Sequence, residues 1–267
     1  MTPFETFLSE ALPPLGLHPA AFRRRGVRRR VTRRMESLGI HDYLAYLRFL
    51  RGAPSERDAL RSVLTVTISR FYRNRVAWET LSREVLLPLA GRKRPVRAWS
   101  AGCASGEEAY SLGIAWEELP GRKPPISVLA SEVDSACLRR AAEGVYSESS
   151  IREVPRQVAE RYFRKENGRF RLSAKVILSV ELRRHDLLRE EPPGRFDIVL
   201  CRNAAFTYFH PPRRIEVARR IAACLPTGGV LMLGRTEKLP AEAGAWFSPL
   251  SLSANIHARR PLAPPGP

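Results

Sequence analysis

Residues Val96 to Ser111, VRAWSAGCASGEEAYS, constrain the fold more than any other stretch. Val96 to Ser100 is short, β-prone and preceded by Pro95, so a strand is expected there. Ala101 to Gly106 is built from small residues and suits a tight turn with room for a ligand against the backbone. Glu107 opens a helix expected to run to about Leu119, where Pro120-Gly121 ends it. Strand, glycine loop and helix form the first unit of a nucleotide-binding α/β sheet. The glycines are spaced Gly102-x-x-x-Gly106, so the dinucleotide fingerprint G-x-G-x-x-G is absent. Glu107 and Glu108 stand where a pyrophosphate would need bare amides. The loop therefore suits a nucleoside ligand without phosphates, and a cationic one such as the sulfonium S-adenosylmethionine. An ordinary glycine turn in an α/β sheet is the alternative that this stretch alone leaves open.

The chain has 267 residues and 44% hydrophobic content, enough for one large or two modest domains with a real core. No run of about 18 apolar residues is present, so no transmembrane helix is expected. The opening MTPFETFLSEALPPLG lacks the basic and long apolar regions of a signal peptide. Cys103, Cys137, Cys201 and Cys224 are far apart and form no C-x-x-C pair. A reduced cytoplasmic protein without a bound metal is the simplest expectation. The net charge of +18 implies an acidic partner: nucleic acid, an acidic protein surface or an anionic membrane. A genome-wide preference for arginine would account for part of the same excess.

Residues 1 to about 90 read as all-helical. Phe4, Phe7, Leu8 and Leu12 recur at helical spacing before Pro13-Pro14. A second helix is expected from Pro19, with Gly39 as its cap. In it, eight of the thirteen residues from Phe22 to Arg34 are Arg and none is acidic. Phe22, Val27, Val31, Met35 and Leu38 supply its apolar seam. A third helix follows Asp42, with Tyr43, Leu44, Leu47 and Leu50 inward. A fourth starts at Ser55, an N-cap with Asp58 three residues on. Thr65 to Arg73, TVTISRFYR, is rich in hydroxyls and β-branched residues and reads as extended, leading into a helix at about Val76 to Leu89.

Residues 95 to 260 alternate strand and helix, the pattern of a parallel sheet. Strand Ile126 to Ser131 and helix Ser135 to Glu143 follow the opening unit. Tyr146 to Glu181 is less regular, with a helix Pro155 to Phe163. Gly168 to Leu172 and Val176 to Leu182 are expected to form a small antiparallel insert. Phe196 to Cys201 is a continuous apolar strand of the buried parallel kind. A helix Pro212 to Cys224 and a strand Val230 to Gly234 complete the series. The tail from Pro261 to Pro267 is Pro-rich and expected to be disordered.

WSAGCASGEEAYS, the TISRFYR ahead of it, ASEVD after the second strand, and FDIVLCRN with PTGGVLMLGRTE occur in one order. That set resembles the CheR-type chemotaxis methyltransferases, over nearly the whole chain. The resemblance implies a helical N-terminal domain (1–90), then a doubly wound, Rossmann-like class I methyltransferase domain (91–260) with a small insert. It implies transfer of a methyl group from S-adenosylmethionine to glutamate side chains of receptors, leaving S-adenosylhomocysteine. Cofactor contacts carried over from the family fall on Thr67, Ser69, Arg73, Gly102, Glu107, Glu132, Asp186, Leu187, Asn203 and Ala204. Glu132, at the tip of the second strand, would accept hydrogen bonds from both ribose hydroxyls; the family usually has Asp there. Arg73 would hold a carboxylate of cofactor or acceptor, and Tyr208 would line the methyl-transfer site. Between Arg202-Asn203 and the following Phe209 this chain has five residues where the family has four, which puts the acceptor side in question. The basic Arg23 to Arg34 helix would meet an acidic acceptor, in keeping with receptor helices. A monomer without a further tethering module is expected. A methyltransferase acting on RNA or a small molecule, and a non-catalytic S-adenosylmethionine-binding module, are the alternatives.

Overall fold

The computed structural model describes residues 1–64 and 69–261. Thr67 and the tail beyond residue 261 therefore lie outside the described residues. The chain divides into two compact units, Met1–Val66 with Thr207–Arg214, and Thr67–Phe206 with Ile215–Pro267.

In the first unit, α1 (Pro3–Ala11) starts from a capping box. Thr2 Oγ1 accepts from the Glu5 amide, and Thr2 N donates to Glu5 Oε2 at 2.9 Å. The basic helix does not begin at Pro19. Pro19–Phe22 forms a short 3-10 turn, Arg24 is extended, and α2 runs Arg25–Ser37. The reason is in the seam: Phe22 and Val27 are five apart, about 140° round a helix from one another. The break turns both of them inward, and Val27, Val31 and Met35 then keep one buried stripe. Gly39, at φ +68, closes the end with its amide on Glu36 O.

Asp42 caps α3 (Tyr43–Gly52) through a 2.8 Å bond from Ala45 N. Tyr46, Leu47 and Leu50 are its buried face, and Leu44, expected inward, is 58% exposed. Leu44 lies about 100° from the stripe of Tyr43, Leu47 and Leu50. Pro54, at the first turn, opens α4 (Pro54–Leu64). Its Glu56 is buried and accepts from Arg34 Nε of α2 at 3.0 Å and from Tyr46 OH of α3 at 2.6 Å. Thr207–Arg214 joins this unit through Leu17 and Phe209, which form an antiparallel bridge. His18 N donates to Tyr208 O at 2.8 Å beside it.

The second unit opens with α5 (Arg75–Leu81), one π-helical turn (Ser82–Leu86) and α6 (Leu87–Ala90). These residues were expected in the helical domain. Trp78, Leu81, Val85, Leu86 and Leu89 instead share one core with Val96 and Ala98 of the sheet. Next come β1 (Val96–Ala101), α7 (Glu107–Glu117), β2 (Ile126–Glu132) and α8 (Ser135–Glu143). The insert follows as β3 (Val145–Tyr146), α9 (Glu148–Ile151), α10 (Arg156–Tyr162), β4 (Phe163–Glu166) and β5 (Arg169–Leu172). Its strands make a small antiparallel sheet in the order β3-β5-β4. Val176 to Leu182 is not part of it: α11 (Ala174–Leu178) is helical and β6 (Val180–Arg184) pairs parallel with β2. The chain ends with β7 (Ile198–Cys201), α12 (Ala205–Tyr208), α13 (Pro211–Cys224), β8 (Val230–Leu233), β9 (Phe247–Ser251) and β10 (Ile256–Arg259).

The main sheet has the order β6-β2-β1-β7-β8-β10-β9. Five strands are parallel, and β10 and β9 add antiparallel at one edge, so the sheet is mixed rather than wholly parallel. β9 carries Pro249, which an edge strand tolerates. The middle of the sheet is dry: all four residues of β7 are buried to 0% exposure, as helices on both faces require. Among the described residues no helix is long and apolar enough to cross a membrane.

Candidate cofactor site

The strand order reverses at β1, between β2 and β7. In an open α/β sheet a ligand sits at the carboxyl edge of such a switch point. The loop after β1 is held there by Gly102 N and Cys103 N, both donating to Ser131 O of β2 at 2.8 and 2.9 Å. Gly102 has φ +81, and a Cβ on it would meet Ala204 Cβ at 2.8 Å and Leu187 Cδ1 at 3.8 Å. Three expected cofactor residues, from the ends of β1, β6 and β7, therefore converge. The far end of the loop is braced by Tyr146 OH on Ser105 O at 2.8 Å and Arg140 Nε on Ser105 Oγ at 3.1 Å.

Glu107, the first residue of α7, is 4% exposed. Burial pushes its carboxyl up to about 7, against a bond from Ser69 and the charge of Arg140. Its Oε2 is buried and has no hydrogen-bond partner among the described residues. An acid in a helix first turn is ordinarily solvated; this one is withdrawn from water with an acceptor to spare.

Glu132 ends β2 and is also buried. Ala104 N donates to its Oε2 at 3.1 Å, and Val133 N and Asp134 N donate to Oε1 at 2.7 and 3.2 Å. Burial raises its pKa against those three bonds. The carboxylate thus ties the glycine loop to the strand end, and about one of its four acceptor positions is left for a hydroxyl.

Asp186 and Leu187 follow β6. Asp186 closes its own turn, with Oδ1 accepting from Leu188 N at 2.8 Å, and pairs with Arg189 at 3.6 Å. Leu187 faces Gly102 as described. Asn203 adopts φ +56, and its amide donates to Glu237 Oε2 at 2.6 Å. The same oxygen accepts from Gly234 N at 2.8 Å, so Glu237 joins the ends of β7 and β8. Glu237 ends the PTGGVLMLGRTE motif, and an acid just beyond a buried strand is the one mark of this task in the sequence.

Ser69 reaches Glu107. Arg73 is exposed, while its carbonyl accepts from Arg202 Nη2 at 2.7 Å. Arg202 was not singled out from the sequence, although it stands in the FDIVLCRN motif. Tyr208 falls in the first unit, its ring centroid 5.4 Å from that of Phe22. In α2, Arg30 Nε is spent on Val63 O at 2.8 Å and Arg34 on Glu56, whereas Arg28, Arg29 and Arg33 are exposed. The cysteines are free and buried, and no metal-binding cluster occurs among the described residues.

Buried acids and a braced glycine loop meet at this carboxyl edge. Phosphates are repelled there, and a cation finds an unpaired carboxylate oxygen. S-adenosylmethionine fits on that ground: Glu107 Oε2 is available to its cationic end and Glu132 to a hydroxyl.

The family described as CheR methyltransferase, SAM binding domain, matches residues 67–256. The CheR methyltransferase all-alpha domain matches residues 16–65. The chain is 31% identical over 236 residues to the chemotaxis protein methyltransferase of Listeria monocytogenes, covering 86% of this chain and 88% of that protein. It is 30% identical over 215 residues to chemotaxis protein methyltransferase 2 of Pseudomonas aeruginosa, covering 78% and 76%. It is also 32% identical over 246 residues to an uncharacterized 104.1 kDa protein of Rhodobacter capsulatus, spanning 90% of this chain but about a quarter (26%) of that relative. The helical unit, the mixed Rossmann-like sheet and the buried acids at its carboxyl edge agree with these matches, and the chain belongs to the CheR methyltransferase family, with S-adenosylmethionine as its cofactor.

Proposed function

We propose that the protein methylates a carboxylate oxygen of glutamate side chains on a chemoreceptor or a similar signalling protein, in the cytoplasm and as a monomer. The observation that carries this reading is Glu107, a buried acid with an unpartnered oxygen beside a glycine loop closed against Leu187 and Ala204. When bound, the cofactor offers a sulfonium methyl group, whose carbon–sulfur bond breaks as the acceptor oxygen forms its bond to carbon. An acceptor carboxylate is already ionised at neutral pH, so no protein base is required and positioning supplies most of the rate.

Roles are assigned on that basis. Glu107 holds the cationic end of the cofactor. Glu132 holds the ribose, with Asp186, Leu187, Asn203 and Ala204 completing the contacts. The exposed Arg73 takes a carboxylate through two parallel bonds. Tyr208 acts on the acceptor side, as its motif implies. The exposed Arg28, Arg29 and Arg33 of α2 dock an acidic acceptor segment. The test is transfer of labelled methyl from S-adenosylmethionine to receptor cytoplasmic fragments. Volatile methanol released by alkali supports a methyl ester. Alkali-stable label, or label in RNA, refutes the carboxylate acceptor and favours the alternative chemistry.

A further inference from the structure

Arg202 is 8% exposed and follows directly on β7. Among the described residues its guanidinium has one close acceptor, the carbonyl of Arg73 at 2.7 Å. Its balancing acid, Glu108 of α7, is 3.6 Å away and also accepts from Ser100 Oγ at 2.8 Å. The guanidinium carbon stands 5.6 Å from the Trp78 ring, and Nε has no partner among the described residues. Burial draws the Arg202 pKa down and pushes that of Glu108 up. A buried pair this long is a poor stabiliser, because desolvation of two charges is incompletely repaid and an apolar pair would fill the space as well. Stability alone therefore does not explain the arginine.

What it holds is the backbone of Arg73. Tyr72 and Asn74, on either side, have φ of +52 and +63, a region that side-chain-bearing residues enter at a cost. Such conformations persist where surrounding bonds over-determine them. Here Tyr72 N donates to Ser111 Oγ at 3.0 Å, Asn74 N to Glu153 Oε2 at 2.8 Å, and Arg202 fixes the carbonyl between them. The backbone around Arg73 is thus bound on three sides while Arg73 itself stays exposed.

We propose that Arg202 is a positioning residue, which sets the Arg73 guanidinium by clamping the Arg73 carbonyl to the carboxyl end of β7. The inference rests on the role given to Arg73 above. The test combines Arg73→Ala with the double variant Arg202→Met/Glu108→Gln, which removes both buried charges together. The double variant is expected to fold with a near-native melting temperature. It should lose about ten- to a hundredfold in kcat/KM, the effect of one charge-assisted hydrogen bond. The loss should fall on the same parameter, acceptor KM, kcat or S-adenosylhomocysteine affinity, that Arg73→Ala moves. Adding Arg73→Ala to it should cost nothing further, because the two act as one unit. Amide hydrogen exchange over residues 71–75 should rise in the double variant, a readout independent of activity. Additive losses, or unchanged exchange there, overturn the inference. Native behaviour of Arg73→Ala by itself overturns the Arg73 assignment, and this inference with it, and is told apart by that single variant. If the double variant does not fold, Arg202→Lys keeps a charge opposite Glu108 but loses the planar reach, and the same non-additivity with Arg73→Ala is required of it.

Discussion

With Glu107 at the cationic end of the cofactor, as proposed above, binding is expected to be a proton-linked event. The Glu107 pKa stands at about 7 against 4.5 for a free side chain, a penalty of about 3 kcal/mol on the ionised form. The groups facing it are Ser69, Arg140 and, less directly, Cys103, Tyr110 and Tyr146; of these only Arg140 brings a compensating charge. The raised value means that the folded chain binds more protons than the unfolded one between pH 4.5 and about 7. This group's contribution to stability is therefore favourable at low pH and is lost as pH rises through that window. A cationic ligand reverses the preference, because it binds the ionised form. S-adenosylhomocysteine, which keeps the α-ammonium, should bind about tenfold more weakly at pH 6 and about a hundredfold more weakly at pH 5 than on a plateau reached above about pH 7.5. Isothermal titration at pH 6 in two buffers of different ionisation heat should show nearly one proton released per ligand bound. Glu107→Gln should flatten the profile, lower the plateau affinity and raise the melting temperature of the ligand-free protein at pH 8. Glu132 and Glu108 are also raised by burial, and the single variant separates their share. An affinity independent of pH from 5.5 to 8, or an unchanged slope in Glu107→Gln, would refute the reasoning.

Glu132→Ala should weaken S-adenosylhomocysteine binding by about 1–3 kcal/mol and also lower the melting temperature, since the Ala104, Val133 and Asp134 amides lose their acceptor. Native affinity by titration would take Glu132 out of the site. Gly102→Ala should abolish ligand binding and cost about 1–3 kcal/mol of stability in denaturant titration, because φ is +81 and the new Cβ meets Ala204 at 2.8 Å. Tyr208→Phe should lower turnover modestly with cofactor affinity intact; wild-type turnover on the true acceptor would mean that the extra residue after Asn203 has removed Tyr208 from the reaction. Reversal of Arg28, Arg29 and Arg33 to Glu should raise the acceptor KM and leave S-adenosylhomocysteine affinity alone, with wild-type activity falling as salt screens exposed charges. Unchanged KM at low salt would reduce α2 to a solvated face.

Legibility along the chain followed the range of the interactions involved. Strand, loop and helix at Val96–Ser111 are local, and turn chemistry and caps placed them within a residue or two of β1 and α7. Val176 to Leu182 went astray because a short apolar stretch carries no mark of its partner. β6 was free to join either sheet, and only the parallel register with Val128 to Glu132 decides it. The helix after Arg75 was right in kind and wrong in company for the same reason: periodicity reports that Trp78, Leu81, Val85 and Leu89 share a face, not which core they cover. In α2 a stronger reading was available. Arg30 and Arg34 stand three and seven residues after Val27, beside its buried stripe, and those are the two arginines whose guanidiniums turn to Val63 O and Glu56. The exposed set of Arg25, Arg28, Arg29 and Arg33 follows by difference.

The charged residues of the site show why its chemistry was harder to read than its fold. By sequence, Glu107, Glu108 and Glu132 are acids at helix and strand ends, where solvation is the usual fate. Their burial depends on groups remote in the chain: Ser69 on Glu107, Arg202 on Glu108, and Ala104 on Glu132. Each acid receives a different compensation, and the differences sort the roles. Glu132 is satisfied by three amides and serves as a tie with one acceptor position over. Glu108 is balanced by Arg202 and belongs to the framework that holds the Arg73 backbone. Glu107 alone among these three keeps a buried oxygen without a hydrogen-bond partner among the described residues, and that is the ground on which the cationic end of the cofactor is proposed for it.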